Sequence, residues 1–325
     1  MALFYTSVNL PDVSLGVIRT ATPVDEELIH WRKAAVVARP PVGEDLHTFR
    51  DPDVFRDGDG WRMLVGAGYR DGRAAILSFV SEDLVGWTYD GVFAERSTLL
   101  DDPVWTGSAW ECPHAVNVDG RDVLLVSVWD RSPDYVAAAT GTVVDGRFTA
   151  ENWARIGFGP GPYAATVFRD SEGCASLMFW LRETADPDGL WAGAQSIPYR
   201  LSVIDDRLYL APHPQIRAAV RPDPHKVLGL DWGPGESAPV GALTLRAADG
   251  EPLVALVVDG TTVRLTSGGV VHELPLGEGP VHVLLDTSIL EVSTGPAVAG
   301  LTVPRGDVAL VTVEGEDIAL WFARD

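Results

Sequence analysis

A repeated unit of about four short strands constrains the fold of this chain more than any other feature of its sequence. Runs rich in β-branched and aromatic residues alternate with tight-turn signals, while helix signals are scarce. The turn signals share an Asp-Gly step and occur at Asp57-Gly58, Asp59-Gly60, Asp71-Gly72, Asp119-Gly120 and Asp145-Gly146. We therefore predict an all-β protein.

Three consecutive segments each hold about four predicted strands, which is the size of one propeller blade. These segments are Asp53–Glu95, His114–Ile156 and Ala164–Leu210. The preceding segment, Leu3–Ala38, matches only the second to fourth strands of such a unit. In it, Leu28-Ile29-His30-Trp31 corresponds to Leu84-Val85-Gly86-Trp87. We expect a β-propeller with about four blades present, in which the chain starts inside a blade.

The four-strand period is lost from about His213 onward. The later strands come with tight turns, which favours a second all-β domain of the sandwich type. The stretch 211–227 is rich in Pro and polar residues and is the candidate linker. The predicted domains are a propeller over residues 1–212 and a sandwich over 213–325.

The charge of the chain limits its partners. The 325 residues carry a formal net charge of −21, which argues against binding nucleic acid or an anionic membrane, since both are polyanions. A neutral sugar is compatible with that charge.

The cysteines and the amino terminus give no sign of a disulfide framework, a metal site or a targeting signal. Cys112 and Cys174 are too few for a disulfide framework, and no His partners at short spacing suggest a metal site. The amino terminus, Met1–Ser7, lacks the features of a signal peptide, and no apolar run reaches membrane-spanning length. As written, the chain is expected to be cytoplasmic, or extracellular if its true start lies upstream.

Two phrases occupy similar positions in neighbouring units. They are Phe49-Arg50-Asp51-Pro52 and Trp110-Glu111-Cys112-Pro113. Asp51 lies nine residues before Gly60, and Glu111 lies nine residues before Gly120. The innermost strand of each blade lines the propeller axis, so residues at its start gather at one mouth of the channel. We therefore expect these carboxylates to converge, and paired carboxylates are what glycoside cleavage needs.

The two carboxyl groups would take different roles. One kept protonated donates to a leaving oxygen, while the other stays ionised and contacts or attacks the sugar. The aromatic residues expected to offer apolar walls for sugar faces are Phe49, Trp110, Tyr163, Trp180 and Trp191. The alternative is that Asp51-Pro52 is only a turn and that Arg50 pairs with Asp51 for structure alone.

At these residues the chain resembles glycoside hydrolase family 32, the invertase, levanase and inulinase group. Besides the two phrases, the resemblance rests on Tyr163-Ala164-Ala165 and on the run Trp191–Leu201. The stretch Val283–Val292 resembles the β-sandwich of the family. The resemblance implies a five-bladed propeller followed by a sandwich, and hydrolysis or transfer of fructosyl units with retention.

By that resemblance, Glu111 would be the general acid/base. Asp51 would hold sugar hydroxyls and stabilise the transition state, with Arg50 beside it in the substrate-binding site. The substrate would be a β-fructoside such as sucrose or a fructan. Neither a cofactor nor a metal is implied.

The sequence departs from the family pattern in two places. The nucleophile of the family is an Asp in an Asn-Asp-Pro-Asn-like motif, which nothing here matches, because Asp12 and Asp25 stand in other contexts. Where the family has an Asp shortly before the Tyr-Ala pair, this chain has Gly161-Pro162.

These departures leave several interpretations open. The chain is a truncated product or has a mis-set start, it is one half of a split enzyme completed by a second polypeptide, or it is a non-catalytic fructoside-binding descendant. A five-bladed glycosidase acting on arabinosides is a further alternative, although the phrase Trp110–Pro113 favours family 32.

Overall fold

A computed structural model describes residues 1–186, 188–221, 227–233, 239–303 and 308–321. Within these ranges strands predominate and one short helix is present, so the all-β prediction is confirmed. Residues 1–116 and 122–154 form one compact unit, and residues 117–121 and 155–325 form a second. Part of the predicted linker 211–227 and the last residues of the predicted sandwich, 322–325, lie outside the described residues.

The first unit opens with three strands. They are β1 (Leu3–Asn9), β2 (Asp12–Pro23) and β3 (Trp31–Ala38). β2 pairs antiparallel with both β1 and β3. A Cβ atom at Gly16 would lie 2.4 Å from Thr6 Cγ2 and 3.0 Å from the Phe49 carbonyl oxygen. Only glycine therefore lets β2 pass this close to its neighbours.

Two four-stranded antiparallel arrays follow in the first unit, as the repeat predicts. The first comprises β4 (Leu46–Asp57), β5 (Gly60–Tyr69), β6 (Arg73–Ser81) and β7 (Thr88–Ser97). The second comprises β8 (Ala109–Val118), β9 (Arg121–Asp130), β10 (Ser132–Val144) and β11 (Arg147–Arg155). Each array contributes to a hydrophobic core, one around Phe49, Met63 and Val65 and the other around Trp110, Leu124 and Val126.

The turn at Leu28–Trp31 matches the turn at Leu84–Trp87, as the sequence predicts. In both, the leucine has a positive φ, 59° at Leu28 and 67° at Leu84, and its carbonyl accepts the tryptophan indole N–H. The two segments therefore build the same turn.

The second unit contains the third repeat, which forms a five-stranded sheet, and begins with these elements. They are β12 (Gly157–Phe158), β13 (Pro162–Arg169), β14 (Ala175–Ala185), β15 (Ala192–Gln195), β16 (Tyr199–Ile204), β17 (Arg207–Pro212) and the helix α1 (Pro214–Ala219). The main path of the sheet is β13-β14-β16-β17, and β15 pairs with β14 beside β16. The helix lies in the predicted linker, where His213 caps it by accepting from the Gln215 amide.

The remaining strands form two sheets of the second unit. They are β18 (Val227–Trp232), β19 (Val240–Arg246), β20 (Pro252–Asp259), β21 (Thr262–Ser267), β22 (Val270–Pro275), β23 (Val281–Asp286), β24 (Ile289–Ser293), β25 (Val298–Thr302), β26 (Leu310–Gly315) and β27 (Ile318–Leu320). The sheet orders are β12-β25-β24-β23-β18-β27 and β22-β21-β20-β19-β26. Residues of both sheets share one core, including Trp232 and Val283 from the first and Leu243 and Leu256 from the second. This is the predicted sandwich.

The short strand β12 pairs in parallel with β25 and so belongs to a sandwich sheet although it precedes the third repeat. The predicted boundary at 212/213 stays a prediction.

A buried glutamate joins the third repeat to the sandwich within the second unit. Glu291 of β24 is only 5% exposed. Its Oε1 accepts the Ile197 amide at 3.0 Å, and its Oε2 accepts the Tyr199 hydroxyl at 2.8 Å. Burial raises the pKa of Glu291 to about 7 despite these two hydrogen bonds, which lower it, and the charge of Asp286 raises it further.

We expect Glu291 to make stability depend on pH. Because the folded state holds this proton more tightly than the unfolded chain, its contribution is complete below pH 4.5 and is lost as the pH rises through about 7. The loss amounts to at most about 3 kcal/mol. Urea unfolding at pH 5 and pH 8 should show this decline in the parent protein and a smaller one in Glu291→Gln.

The matched control is Glu273→Gln, which changes an exposed glutamate on β22. It should keep the pH dependence of the parent. An equal decline in the parent and in Glu291→Gln would contradict the assignment.

Candidate active site

Arg50 brings the two predicted carboxylates together. Its Nε lies 3.3 Å from Asp51 Oδ1, and its Nη1 lies 3.2 Å from Glu111 Oε1. The side chain of Glu111 is 12% exposed and that of Asp51 is 22% exposed, so solvent still reaches both groups. The predicted convergence is confirmed, and it occurs within the first compact unit.

Two residues in the left-handed backbone region shape this site. Asp51 has φ 61° and Cys112 has φ 46°, and each directly precedes a proline. At Asp51 the pairing of β4 with β5 shifts register, which marks a β-bulge. Asp51 therefore lies in the middle of β4, and not at a strand start as the sequence suggested, because the ladder continues on both sides of the bulge.

Each of these two residues donates its amide N–H to a polar side chain earlier in the chain. The Asp51 N–H donates to Thr6 Oγ1 at 2.7 Å. The Cys112 N–H donates to Asp51 Oδ2 at 3.2 Å, and the Cys112 thiol lies 3.6 Å from the same oxygen. A chain of hydrogen bonds thus leads from β1 through Asp51 to the residue that follows Glu111.

The turns after the two inner strands correct the predicted alignment. The turn after β4 is made by Gly58-Asp59, whereas the turn after β8 is made by Asp119-Gly120. Each turn begins six residues after the proline, Pro52 in one strand and Pro113 in the other. Gly60 and Gly120 are therefore not equivalent, although both follow an aspartate.

The carboxylates consequently occupy adjacent positions and not the same one. Asp51 corresponds to Cys112, and Arg50 corresponds to Glu111, so the predicted equivalence of Asp51 and Glu111 is wrong by one residue. The third repeat carries Ala164, with φ 45°, at the bulged position. The carboxylates still meet, because Asp51 reaches the Cys112 amide and Arg50 reaches Glu111.

The two carboxylates stabilise the positive charge of Arg50, which lies between them. Burial alone would lower the pKa of Arg50, but the charges of Asp51 and Glu111 outweigh burial and raise it. Burial and the charge of Asp51 also raise the pKa of the Cys112 thiol well above its usual value. Cys112 is therefore a neutral hydrogen-bond donor beside Asp51 and not a nucleophilic thiolate.

A second pair lies two residues further along β4. His114 Nδ1 is 3.3 Å from Asp53 Oδ1, so β4 and β8 are joined at both points. The signal that could have identified this pair is its position, since each partner lies one residue beyond the proline of its phrase.

Comparisons with known proteins agree with this arrangement. The model of the glycosyl hydrolases family 32 N-terminal domain matches residues 1–214. The chain belongs to glycoside hydrolase family 32.

Among curated relatives, sucrose-6-phosphate hydrolase of Bacillus subtilis is 26% identical over 216 residues, covering 61% of this chain and 44% of the relative. Sucrose-6-phosphate hydrolase of Zymomonas mobilis is 29% identical over 241 residues, covering 65% of this chain and 45% of the relative. The family-32 chain thus spans less than half the length of these relatives in the matched region.

Solved structures support the fold over almost the whole chain. The Bombyx mori family-32 β-fructofuranosidase aligns with a TM-score of 0.78 and 20% identity, covering 98% of this chain and 75% of that one. A sucrose-6-phosphate hydrolase from Lactobacillus gasseri aligns with a TM-score of 0.77 and 20% identity, covering 98% and 74%. The fold is the propeller-plus-sandwich fold of the family, as the sequence predicts.

Two of the aromatic residues that were predicted to contact the sugar are buried in this family-32 chain. Phe49 and Trp110 are both 0% exposed, each inside a hydrophobic core. Phe49 packs edge-on against Phe79, and the Trp110 indole N–H donates to the Thr106 carbonyl. Neither ring offers a face to a sugar here, which favours packing roles for both.

The other three predicted aromatics lie in the second unit. Tyr163 is 2% exposed, with the Arg182 guanidinium 4.9 Å from its ring centroid. Trp180 and Trp191 are 42% and 38% exposed, so their rings are accessible. Their assignment to substrate binding stays a prediction.

One group of possible metal ligands occurs among the described residues, formed by Asp170, Glu172 and Cys174. Asp170 Oδ2 already accepts from Arg200 at 3.0 Å and lies 3.1 Å from His213 Nε2. This arrangement is that of an ion-pair cluster. In the described part of the chain, no helix has the length and apolar character needed to cross a bilayer.

Thr6→Val tests the support of Asp51 from β1. The variant keeps the branched shape but removes the acceptor of the Asp51 N–H. We expect the free energy of unfolding to fall by about 1 kcal/mol, since a partly buried amide loses its hydrogen bond. Thr6→Ser keeps the hydroxyl oxygen, so its free energy of unfolding should fall less in the same urea titration. Equal stability of Thr6→Val and the parent would contradict the role of Thr6.

Proposed function

We propose that this chain carries the acid/base and the transition-state stabiliser of a retaining β-fructosidase. The observation that supports it most is the bridge from Arg50 to both Asp51 and Glu111, at 3.3 and 3.2 Å, in a family-32 chain. Retaining glycoside hydrolysis uses an acid/base carboxyl group and a nucleophilic carboxylate, and this pair is proposed to supply the first of them.

Glu111 is the proposed general acid/base. Its side chain is largely buried, and its Oε1 is held by Arg50, so the carboxyl group has a defined position. In the first step it gives its proton to the glycosidic oxygen, as the fructosyl carbon leaves that oxygen and bonds to the nucleophile. In the second step it takes a proton from the water that bonds to the fructosyl carbon, as the bond to the nucleophile breaks and fructose is released.

Asp51 is the proposed stabiliser, and Arg50 orients it. The carboxylate accepts from Arg50 through one oxygen and from the Cys112 amide through the other, which fixes its plane. Ionised Asp51 accepts hydrogen bonds from sugar hydroxyls and offsets the positive charge that develops on the ring.

The nucleophile is the third group that retention requires, and we assign it to neither Asp51 nor Glu111. The proposal places it on a different carboxylate, and a second polypeptide that completes the enzyme is one source. The chain covers 44% of the Bacillus subtilis relative, so the activity of the whole protein is itself part of this proposal.

Sucrose and short fructans are the proposed substrates. Curated relatives are named sucrose-6-phosphate hydrolase, and a variant of the Bombyx mori enzyme has been solved in complex with sucrose. Trp180 and Trp191 are proposed to bind a sugar, since their rings are accessible. Tyr163, at 2% exposed, is assigned to packing for the same reason as Phe49 and Trp110. The alternative is a fructoside-binding protein without catalysis, for which Asp51 and Arg50 would provide the hydrogen bonds.

Glu111→Gln tests the acid/base role. We expect the variant to release fructose from sucrose about a thousandfold more slowly than the parent, because general acid–base catalysis typically contributes factors of about 10² to 10⁴. The rate of p-nitrophenolate release from a p-nitrophenyl fructoside should fall much less, since this leaving group departs without protonation. Fructose and p-nitrophenolate release by the purified proteins give the two rates.

Glu95→Gln is the control carboxylate, because Glu95 pairs with Arg73 away from the site. It should match the parent with both substrates. Equal losses of Glu111→Gln on both substrates would contradict the acid role. Sucrose binding without release by the parent, abolished in Asp51→Ala, would favour the binding protein.

A further inference from the structure

A cleft of about 570 Å³ lies in the first unit beside the ends of β4 and β6. Its volume falls within the range of about 300 to 1,000 Å³ that small-molecule sites occupy. The lining residues that matter here are Asp57, Trp61, Glu82, Asp83, Gly86 and Trp87. None of these residues belongs to the candidate active site.

The cleft is separate from the candidate active site. Asp57, which lines it, follows Asp51 by six residues on the same strand. At about 3.3 Å per residue, the two positions are about 20 Å apart. A ligand in the cleft therefore does not contact the carboxylates bridged by Arg50.

The aromatic residues of the cleft are held in place. The Arg56 guanidinium lies 4.2 Å from the Trp61 ring centroid and so occupies one face of that ring. Trp87 packs edge-on against Phe4 and donates its indole N–H to the Leu84 carbonyl at 3.2 Å. Both rings are only half-buried, and fixed aromatic surfaces of this kind suit the C–H faces of a sugar ring.

The charges of the cleft favour a neutral ligand. Asp57 Oδ2 is paired with Arg62 Nε at 2.6 Å. Asp83 Oδ1 accepts the amides of Val85 and Gly86 at 2.8 and 2.9 Å. Two of the three carboxylates are thus already engaged, which disfavours a cation, while the carboxylates themselves repel a phosphate. Their remaining lone pairs suit hydroxyl donors.

The duplicated turn gives a second, independent indication. In the turn Leu28–Trp31 the third residue is His30. Its ring Nδ1 forms a hydrogen bond of 2.6 Å with Oδ2 of Asp25, the carboxylate that caps this turn. In the matching turn Leu84–Trp87 the third residue is Gly86, and its φ does not lie in the left-handed region. A Cβ there would meet only Asp83 Oδ1, at 3.9 Å. Neither backbone nor packing requires glycine, and its effect is to leave the cleft open.

We propose that this cleft is a second carbohydrate-binding site, which holds a sugar unit of a β-fructan through Trp61, Trp87 and the hydroxyl-accepting carboxylates. The choice of a fructan rests on the proposed function, whereas binding itself requires no hydrolysis. The site would hold a polymeric substrate while another part of it reaches the carboxylates.

The test is affinity electrophoresis in gels with and without inulin. All proteins carry Glu111→Gln, so that the polymer is not consumed. Gly86→His places a ring beside Asp83 in a turn that already accommodates His30, and should weaken inulin retardation at least fivefold. His30→Gly, the reverse change at the matching turn, should leave retardation unchanged.

Trp61→Ala provides a second variant, with near-UV circular dichroism as the check of its fold. It should weaken retardation to the same extent as Gly86→His. No retardation of the Glu111→Gln protein, or retardation that Gly86→His and Trp61→Ala leave intact, would overturn the proposal. In the background with Glu111 restored, Gly86→His should hydrolyse sucrose as the parent does. If only the proposed function is wrong, the parent should release no fructose, while inulin should still retard the protein and Gly86→His and Trp61→Ala should still weaken that retardation.

Discussion

The guanidinium of Arg50 connects the two carboxylates around which the candidate site is built. Its planar fork reaches Asp51 through Nε and Glu111 through Nη1, so one side chain contacts both partners through different atoms. A lysine ammonium has no such fork and would have to share one atom between them. The cation thereby fixes the carboxylates relative to each other on two different strands.

That bridge depends in turn on the backbone. Asp51 stands beside Arg50 in sequence, and consecutive residues of a regular strand point to opposite faces. The bulge at Asp51, with φ 61°, breaks this alternation and lets Arg50 Nε contact the carboxylate of its own neighbour. The left-handed conformation is unfavourable for a residue other than glycine, and the Thr6 hydrogen bond to the Asp51 amide offsets part of that cost.

Much of the fold could be predicted from turn chemistry and repetition, but the alignment of the repeats could not. Asp57-Gly58 and Asp59-Gly60 offer two overlapping turn signals, and only the structure selects Gly58-Asp59 as the turn. Strand alternation could have predicted the burial of Phe49 and Trp110, because each directly precedes a residue that faces the site. The pair Asp53–His114 could also have been predicted, because each partner directly follows the proline of its phrase on one of two inner strands expected to converge.

The contacts of Asp51 bear on whether it has capacity left for a sugar. A carboxylate offers about four lone-pair positions, two on each oxygen. Arg50 takes one position on Oδ1, while the Cys112 amide and thiol approach Oδ2. Because the thiol lies at 3.6 Å, it is the weakest of these partners and the one that a hydroxyl displaces most easily. A hydroxyl that replaced the thiol would leave the contacts of Arg50 with Asp51 and Glu111 in place, so the stabiliser assignment requires no rearrangement of Arg50.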